Sequence, residues 1–516
     1  AVDMVKEGLI TENEALMRVS TDHVEAFLHP MVDPEAKTDI IARGLPASPG
    51  GATGEIVFSA EEAEEVAAAG RSVILVRRET TPEDIHGMKV AAGILTELGG
   101  MTSHAAVVAR GMGVCAITGC DDLSIDDASG TATTTDGAVL KRGDVITLDG
   151  THGEVMLGDI PKTEASSSED FQLLLSWADK HRRLKVRANA ETPVDAAKAR
   201  ELGAEGIGLV RTEHMFFDSE RIDVMRAMIL AETVEERRGF LDQLQVFQHD
   251  DMLELFKVMD GLPVTVRLLD PPLHEFLPQS EEDMQALAER IGKPAEKIRE
   301  IAGRLEEVNP MLGFRGCRLS VVHPEITEMQ VRAIISAAAD AMEQGFKPLP
   351  EIMIPLVVNV REIRLIAHII DKSVHEVMKA RTVSVPYKVG TMMETPRAAL
   401  GADRLAPEVE FMSFGTNDLT QMTYGFSRDD AGKFIPQYLK QKLIDADPFV
   451  SLDQRAVGRL MEMAVKESRG RKKGIKYGIC GEHGGDPRSI HFCHDLGLDY
   501  VSCSPYRVPI ARIAAA

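Results

Sequence analysis

At 516 residues the chain exceeds one ordinary domain, and roughly two to four are expected. Its apolar fraction of 44% is normal for a globular protein, and no apolar run reaches the roughly 18 residues that would span a membrane, so no membrane partner is expected. A formal net charge of −23 argues against nucleic acid as a partner, and any anionic substrate must be held by local Arg clusters.

The chain opens Ala1-Val2-Asp3, with neither a Met nor a secretory leader. It starts inside what reads as a helix, as a piece of a longer protein would. Thr11-Glu12-Asn13-Glu14 is a capping-box pattern. Residues 1–40 read as a short helical hairpin ending at Pro30 and Pro34, a linker. Residues 41–160 read as an α/β unit, with a buried strand at Val73-Ile74-Leu75-Val76. A hairpin joins Asp144–Leu148 to Gly153–Leu157 across Asp149-Gly150. Near the middle of this unit, Gly99-Gly100-Met101-Thr102-Ser103-His104 runs into a small apolar stretch ending at Gly111. Thr102 or Ser103 can cap a helix, which places His104 in its first turn, where free N–H groups and the helix dipole favour an anion. Taken alone, that pattern also describes a capped helix carrying a solvated His.

Residues 161–183, with the polar run Glu164–Asp170 leading into a helix holding Trp177, read as a hinge or linker. From 184 onward, short apolar strands alternate with helical stretches. The strands fall at Leu184–Ala190, Gly206–Arg211, Val264–Leu269, Glu351–Val357, Lys388–Met393, Glu410–Phe414, Lys476–Cys480 and Tyr500–Ser504. Eight such units predict a parallel (β/α)8 TIM barrel over 184–516, with an open doubly wound sheet as the alternative. Insertions at 270–316 and about 421–448 have the length of lids or interfaces. The six Cys make neither a disulfide framework nor a CxxC pair. Cys115 and Cys120 have only a weak metal spacing, and a reduced, cytoplasmic setting is expected.

In a barrel, chemistry gathers at the C-terminal ends of the strands. Arg211 and Arg267 end adjacent strands and suit a carboxylate or phosphate. Glu394 and Asp418, at the ends of strands five and six, supply hard oxygens that suit Mg²⁺. Cys480 places a thiol at the same rim. Each has a plainer reading: a surface ion pair for the Arg residues, a helix first-turn carboxylate for Glu394, a small buried hydrophobe for Cys480. Cys493 and Cys503 keep that last reading.

The Gly99–Gly111 stretch resembles the phosphohistidine signature of the phosphoenolpyruvate-utilising enzymes, which include pyruvate phosphate dikinase, phosphoenolpyruvate synthase and enzyme I of the sugar phosphotransferase system. GIGLVRTEHMF, MMETPRA, SFGTNDLTQ and YGICGEHGG resemble the barrel of the same family. The resemblance implies a swivelling phosphohistidine β/β/α domain, with His104 as the phosphoryl carrier, ahead of the barrel. It implies that Arg211, Arg267 and Arg315 bind the carboxylate and phosphate of phosphoenolpyruvate, that Asn417 contacts the phosphate, and that Gly415 and Thr416 line the site with backbone. Glu394 and Asp418 would hold the Mg²⁺ cofactor, and Cys480 would protonate the enolate. The implied reaction is reversible transfer between phosphoenolpyruvate and His104, yielding pyruvate, in a homodimer formed through the barrel, cytoplasmic or, in a plant, plastid.

The loops DPPLHEF, from Asp270, and MTYGFSRDDA, from Met422, resemble the dikinase branch and oppose the synthase. An enzyme I-like phosphocarrier would need a helical partner-docking subdomain beside the His unit, and none is legible. The dikinases also carry an N-terminal ATP-grasp domain, to which nothing here is similar. An ATP/AMP site is therefore expected on a missing N-terminal domain, and the reaction here is half of ATP + pyruvate + phosphate = AMP + phosphoenolpyruvate + diphosphate.

Overall fold

The computed structural model describes every residue except 20–23, 25–29, 34–35, 82–83, 101–102, 104, 107, 110–112, 127–128, 136, 165–167, 218, 279–280 and 308. His104 and Thr102 lie outside the described residues. The chain divides into two compact units, Ala1–Trp177 and Ala178–Ala516.

The first unit is built on an eight-stranded sheet. Its spatial order is Ile40–Arg43, Glu154–Leu157, Val145–Asp149, Gly51–Val57, Val73–Arg77, Gly93–Thr96, Cys115–Thr118 and Leu45–Ser48. The four strands from Gly51–Val57 to Cys115–Thr118 run parallel, and antiparallel strands flank them. The apolar run Val73-Ile74-Leu75-Val76 is buried, with one core cluster on each face of the sheet. The hairpin across Asp149-Gly150 forms as its alternating pattern predicts, with Asp149 opposite Glu154. A three-stranded antiparallel sheet, Leu123–Asp126, Thr131–Thr134 and Val139–Lys141, completes the unit. Ser103 Oγ accepts from the Ala106 N–H at 3.3 Å, a cap at the start of the Gly-rich segment's helix.

At the N-terminus Thr11 makes the capping box with Glu14. Two short helices, Val2–Lys6 and Glu12–Arg18, precede Pro30, which opens an unforeseen strand, Pro30–Val32, that pairs antiparallel with Lys162–Glu164. Pro is tolerated there because a two-stranded ribbon leaves an edge that needs no N–H. Cys115 and Cys120 are buried thiols whose Sγ atoms lie 3.0 Å from the Gly50 carbonyl and 3.3 Å from the Arg43 carbonyl. Apolar packing and these carbonyls account for both thiols.

The second unit is a closed barrel of eight parallel strands: Lys185–Asn189, Ile207–Arg211, Pro263–Arg267, Leu349–Ile354, Lys388–Met393, Phe411–Phe414, Lys476–Ile479 and Tyr500–Cys503. All eight predicted strands are present, closed by pairing of the first with the last. Three of the helices that follow strands start with a capping oxygen and then proline: Thr192-Pro193, Thr395-Pro396 and Asp486-Pro487. The oxygen satisfies a free N–H, and proline sits where no N–H bond is needed. A large apolar cluster lies between strands and outer helices, while Leu209, Met353, Met392, Phe411 and Cys480 pack in the barrel interior. The 270–316 insertion contains helices Glu281–Ile291 and Ala295–Leu305, which join a cluster of their own around Phe216, Leu244 and Phe276. Among the described residues, no helix is long and apolar enough to cross a membrane.

Candidate active site

Parallel register sets the first two side chains. Arg211 and Arg267 are Cα partners at the ends of strands two and three, so both reach the same rim. Strand five ends at Met393, and Glu394 follows it. Strand six ends at Phe414, and Gly415 through Asp418 turn into helix Thr416–Tyr424. Cys480 follows strand seven. Arg211, Arg267, Arg315, Glu394, Gly415, Asn417, Asp418 and Cys480 all line one cavity of about 310 Å3. Thr416 is fully buried behind the lining, while His104 falls outside the described residues.

An ion lattice fixes these groups. Asp270 forms an ion pair with Arg267 Nη1 at 2.8 Å and accepts from Arg315 Nη2 at 2.6 Å, so one carboxylate aligns two guanidiniums. Arg267 also donates to Glu213, Arg315 to Asp418 at 3.1 Å, and Arg211 to Glu191 at 2.6 Å. Burial opposes the charge on Arg267, but Asp270, Glu213 and Glu394 outweigh it and hold the guanidinium above its ordinary pKa. Burial likewise disfavours charge on Asp270, yet Arg267 and Arg315 keep its carboxyl below the usual range. Arg267 Nε and Glu213 Oε2 are buried with no partner among the described residues, so the lattice retains unused hydrogen-bonding capacity.

Glu394 is in a different state. It is fully buried, and its Oε1 accepts from the Leu356 N–H at 2.5 Å. Its Oε2 has no partner among the described residues. Burial, then repulsion from Asp418 and Asp270, pushes its carboxyl well above the ordinary value. Burial also raises Asp418, against the pull of Arg315. Space beside the orphan oxygen is kept by Gly415, where a Cβ would lie 2.8 Å from Glu394 Oε2 and 2.7 Å from Met392 Sδ. Two mutually repelling carboxylates, one with an unused oxygen, fit a hard divalent cation. Among the described residues no group of three or more His, Cys, Asp or Glu converges on a metal position. Two carboxylates suit an ion that takes most of its coordination from water and substrate oxygens, as Mg²⁺ does.

The Cys480 thiol is pushed up to about 11 by burial, so it is protonated near neutrality. Its carbonyl accepts from Asn189 Nδ2 at 3.1 Å, which ties strand seven to strand one.

Several site residues were not singled out by sequence. Glu213 and Asp270 could have been found, since each stands two or three positions beyond a strand-end Arg. Glu275 and Arg428 line the cavity from the two insertions. His483 is fully buried, with Nδ1 2.7 Å from Thr416 Oγ1 and Nε2 2.9 Å from the Pro448 carbonyl. Burial lowers its pKa, which leaves a neutral ring that donates from Nε2 to the carbonyl and accepts the Thr416 hydroxyl. It thereby fixes the Gly415–Asp418 turn. Leu356 has φ 57°, a left-handed conformation that is uncommon for a branched residue, and this backbone directs its N–H to Glu394. No sequence signal marks it.

Residues 165–516 match the family model described as PEP-utilising enzyme, PEP-binding domain, and residues 70–153 match the one described as PEP-utilising enzyme, mobile domain. The chain is 54% identical over 517 residues to a pyruvate, phosphate dikinase of Rhizobium meliloti and 52% identical over 519 residues to one of Clostridium symbiosum. It is 54% identical over 521 residues to a chloroplastic pyruvate, phosphate dikinase of Flaveria trinervia. Each comparison covers 100% of this chain, which spans 58%, 59% and 55% of the three relatives respectively. With a match across the whole barrel unit and this identity along its full length, the chain belongs to the PEP-utilising enzymes.

Proposed function

We propose that this chain carries out the phosphoenolpyruvate half of a dikinase reaction: phosphoenolpyruvate + His104 ⇌ pyruvate + phospho-His104. The observation that carries the reading is the rim cavity, where Arg211, Arg267 and Arg315 stand with Glu394, Asp418 and the Cys480 thiol. In this reading Arg267 and Arg315, aligned by Asp270, hold the carboxylate and phosphate, and Arg211 completes the grip. In the same reading Asn417, which lines the cavity beside the Gly415-Thr416 turn, contacts the phosphate. The phosphorus–oxygen bond of phosphoenolpyruvate breaks as a phosphorus–nitrogen bond forms on the His104 ring, leaving enolpyruvate's negative oxygen among the guanidiniums. Cys480 then gives its S–H proton to the methylene carbon, making the methyl group of pyruvate, and the thiolate regains a proton from solvent. Glu394 and Asp418 would hold Mg²⁺, which when bound supplies positive charge against the enolate and phosphoryl oxygens.

The full dikinase activity, a homodimer and an ATP/AMP site outside these 516 residues belong to the same reading. The setting in this reading is cytoplasmic or, if the source is a plant, plastid, as the name of the Flaveria trinervia relative states for that protein, and six free buried thiols suit a reducing compartment. The test uses phosphoenolpyruvate labelled on phosphorus, with Mg²⁺. The expected product is an acid-labile, base-stable phosphoprotein that His104→Ala abolishes without loss of fold. Label persisting in that variant would move the carrier elsewhere. The chain alone is expected to make no ATP from AMP and diphosphate, and measurable ATP would reveal a nucleotide site within it.

A further inference from the structure

A second cavity, of about 290 Å3, opens at the opposite end of the barrel, among the starts of the strands. Arg187, Glu351 and Lys476 come from strands one, four and seven. Glu351 is spent: Oε2 accepts from Arg187 Nη1 at 2.8 Å and Thr265 Oγ1 at 2.9 Å, and Oε1 accepts from Lys476 Nζ. Lys388 adds a third cation at the exposed mouth. Three cations thus face one saturated carboxylate in the cavity lining. Two further carboxylates stand outside the lining, Asp371 accepting from the Tyr387 hydroxyl at 2.9 Å and Glu410 from the Val389 N–H at 3.1 Å, and both keep their charge.

A structural ion pair would balance its charges; within the lining this one leaves a surplus of cations. Arg187 is only 5% exposed, and its Nε has no partner among the described residues. Its guanidinium lies over the Tyr500 ring at 4.2 Å, which fixes its plane. Burial first, then repulsion from Arg187, lowers Lys476 to about 8 despite Glu351. The remaining walls are apolar, from Pro263, Leu349, Pro350, Pro386 and the Tyr387 ring. Proline offers no N–H, so these walls recognise a body without polar groups. The interior cluster around Leu209, Met353 and Phe411 lies between this cavity and the rim.

We infer that the base of the barrel is a binding site for a small organic anion, with one phosphate or carboxylate head against Arg187, Lys476 and Lys388 and a short apolar body against the prolines. The site is distinct from the rim and independent of the half-reaction proposed above.

The test is calorimetric titration of the 516-residue protein with phenyl phosphate and, separately, with benzoate. At least one is expected to bind, and which one binds assigns the head. Lys476→Met and Lys388→Glu should each weaken that binding by about ten-fold or more. Arg211→Ala, at the rim, should leave it within about two-fold, since the sites share no residue. Lys388 is exposed, so its variant decides the matter even where Lys476→Met fails to fold. Absence of binding by both probes at millimolar concentration overturns the site. So does affinity that survives Lys388→Glu, or that is lost in Arg211→Ala.

Discussion

At the base of the barrel Glu351 accepts from Arg187, Thr265 and Lys476, whereas at the rim Glu394 accepts from the Leu356 N–H and leaves Oε2 without a partner among the described residues. Both carboxylates are buried, yet their acidities diverge. Burial would raise Glu351, but Arg187 and Lys476 bring it down to about 2. Burial raises Glu394, and the neighbouring Asp418 and Asp270 raise it further. The difference lies in the sign of the surplus. Around the rim cavity five carboxylates (Glu213, Asp270, Glu275, Glu394, Asp418) face four guanidiniums (Arg211, Arg267, Arg315, Arg428). Around the base cavity three cations face one carboxylate. Burial alone therefore says little about a buried charge; the local balance decides whether it waits for a cation, waits for an anion, or is satisfied.

That comparison breaks most visibly along strand seven, which begins with Lys476 and leads into Cys480. The Cys480 thiol, held near 11 by burial, is the proton source proposed for the rim. Cys480→Ala should cut exchange of pyruvate methyl protons with solvent by roughly 10²–10⁴. Labelling of His104 should survive, because free enolpyruvate ketonises in water. Proton NMR of pyruvate in D2O measures the exchange, and an unchanged rate would assign the acid elsewhere.

The rim surplus itself is probed by Glu394→Gln, which removes charge and keeps shape. Initial label transfer should fall by on the order of 10²–10³. Stability at pH 7 should hold or rise, since the folded state disfavours the ionised form. The sign follows from a folded pKa above the unfolded value: any stabilisation from this carboxyl is present below the unfolded pKa and lost as pH rises through the folded one. A variant that transfers label normally, or that unfolds in less urea than the wild type, would reverse the assignment.

Much of this architecture was legible beforehand. Strands such as Val264-Thr265-Val266 are buried on both faces and read as short apolar runs, and oxygen–proline caps such as Thr395-Pro396 mark where the next helices start. Arg211 and Arg267 were placed together because parallel register equates strand ends. The misses share a cause, namely partners distant in sequence. Pro30–Val32 becomes a strand only because Lys162–Glu164 lies beside it. His483 gains its role from Thr416 and Pro448, and Leu356 adopts a conformation its residue type disfavours in order to meet Glu394. The base cavity was equally invisible, because Arg187, Glu351 and Lys476 stand on three non-adjacent strands.

The smallest effect is expected at the base, where Glu351→Gln should alter stability and leave chemistry alone. The substitution strands Arg187 and Lys476 as buried cations without a counter-charge. A carboxyl that drops from 4.5 to about 2 on folding contributes about 3 kcal/mol at pH 7, at ~1.4 kcal/mol per pH unit. With the folded pKa depressed, that contribution is fully present above the unfolded value and is lost as pH falls through 4.5 toward 2. Urea unfolding of wild type and variant should therefore differ by about 3 kcal/mol at pH 7 and by only about 1 kcal/mol at pH 3. Label transfer by the folded variant should match the wild type, because Glu351 lines the base cavity and is absent from the rim. A gap that stays constant between the two pH values would mean that lost packing, and not the ion cluster, supplies the stability. A loss of transfer in the folded variant would mean that the two mouths of the barrel are coupled through its interior.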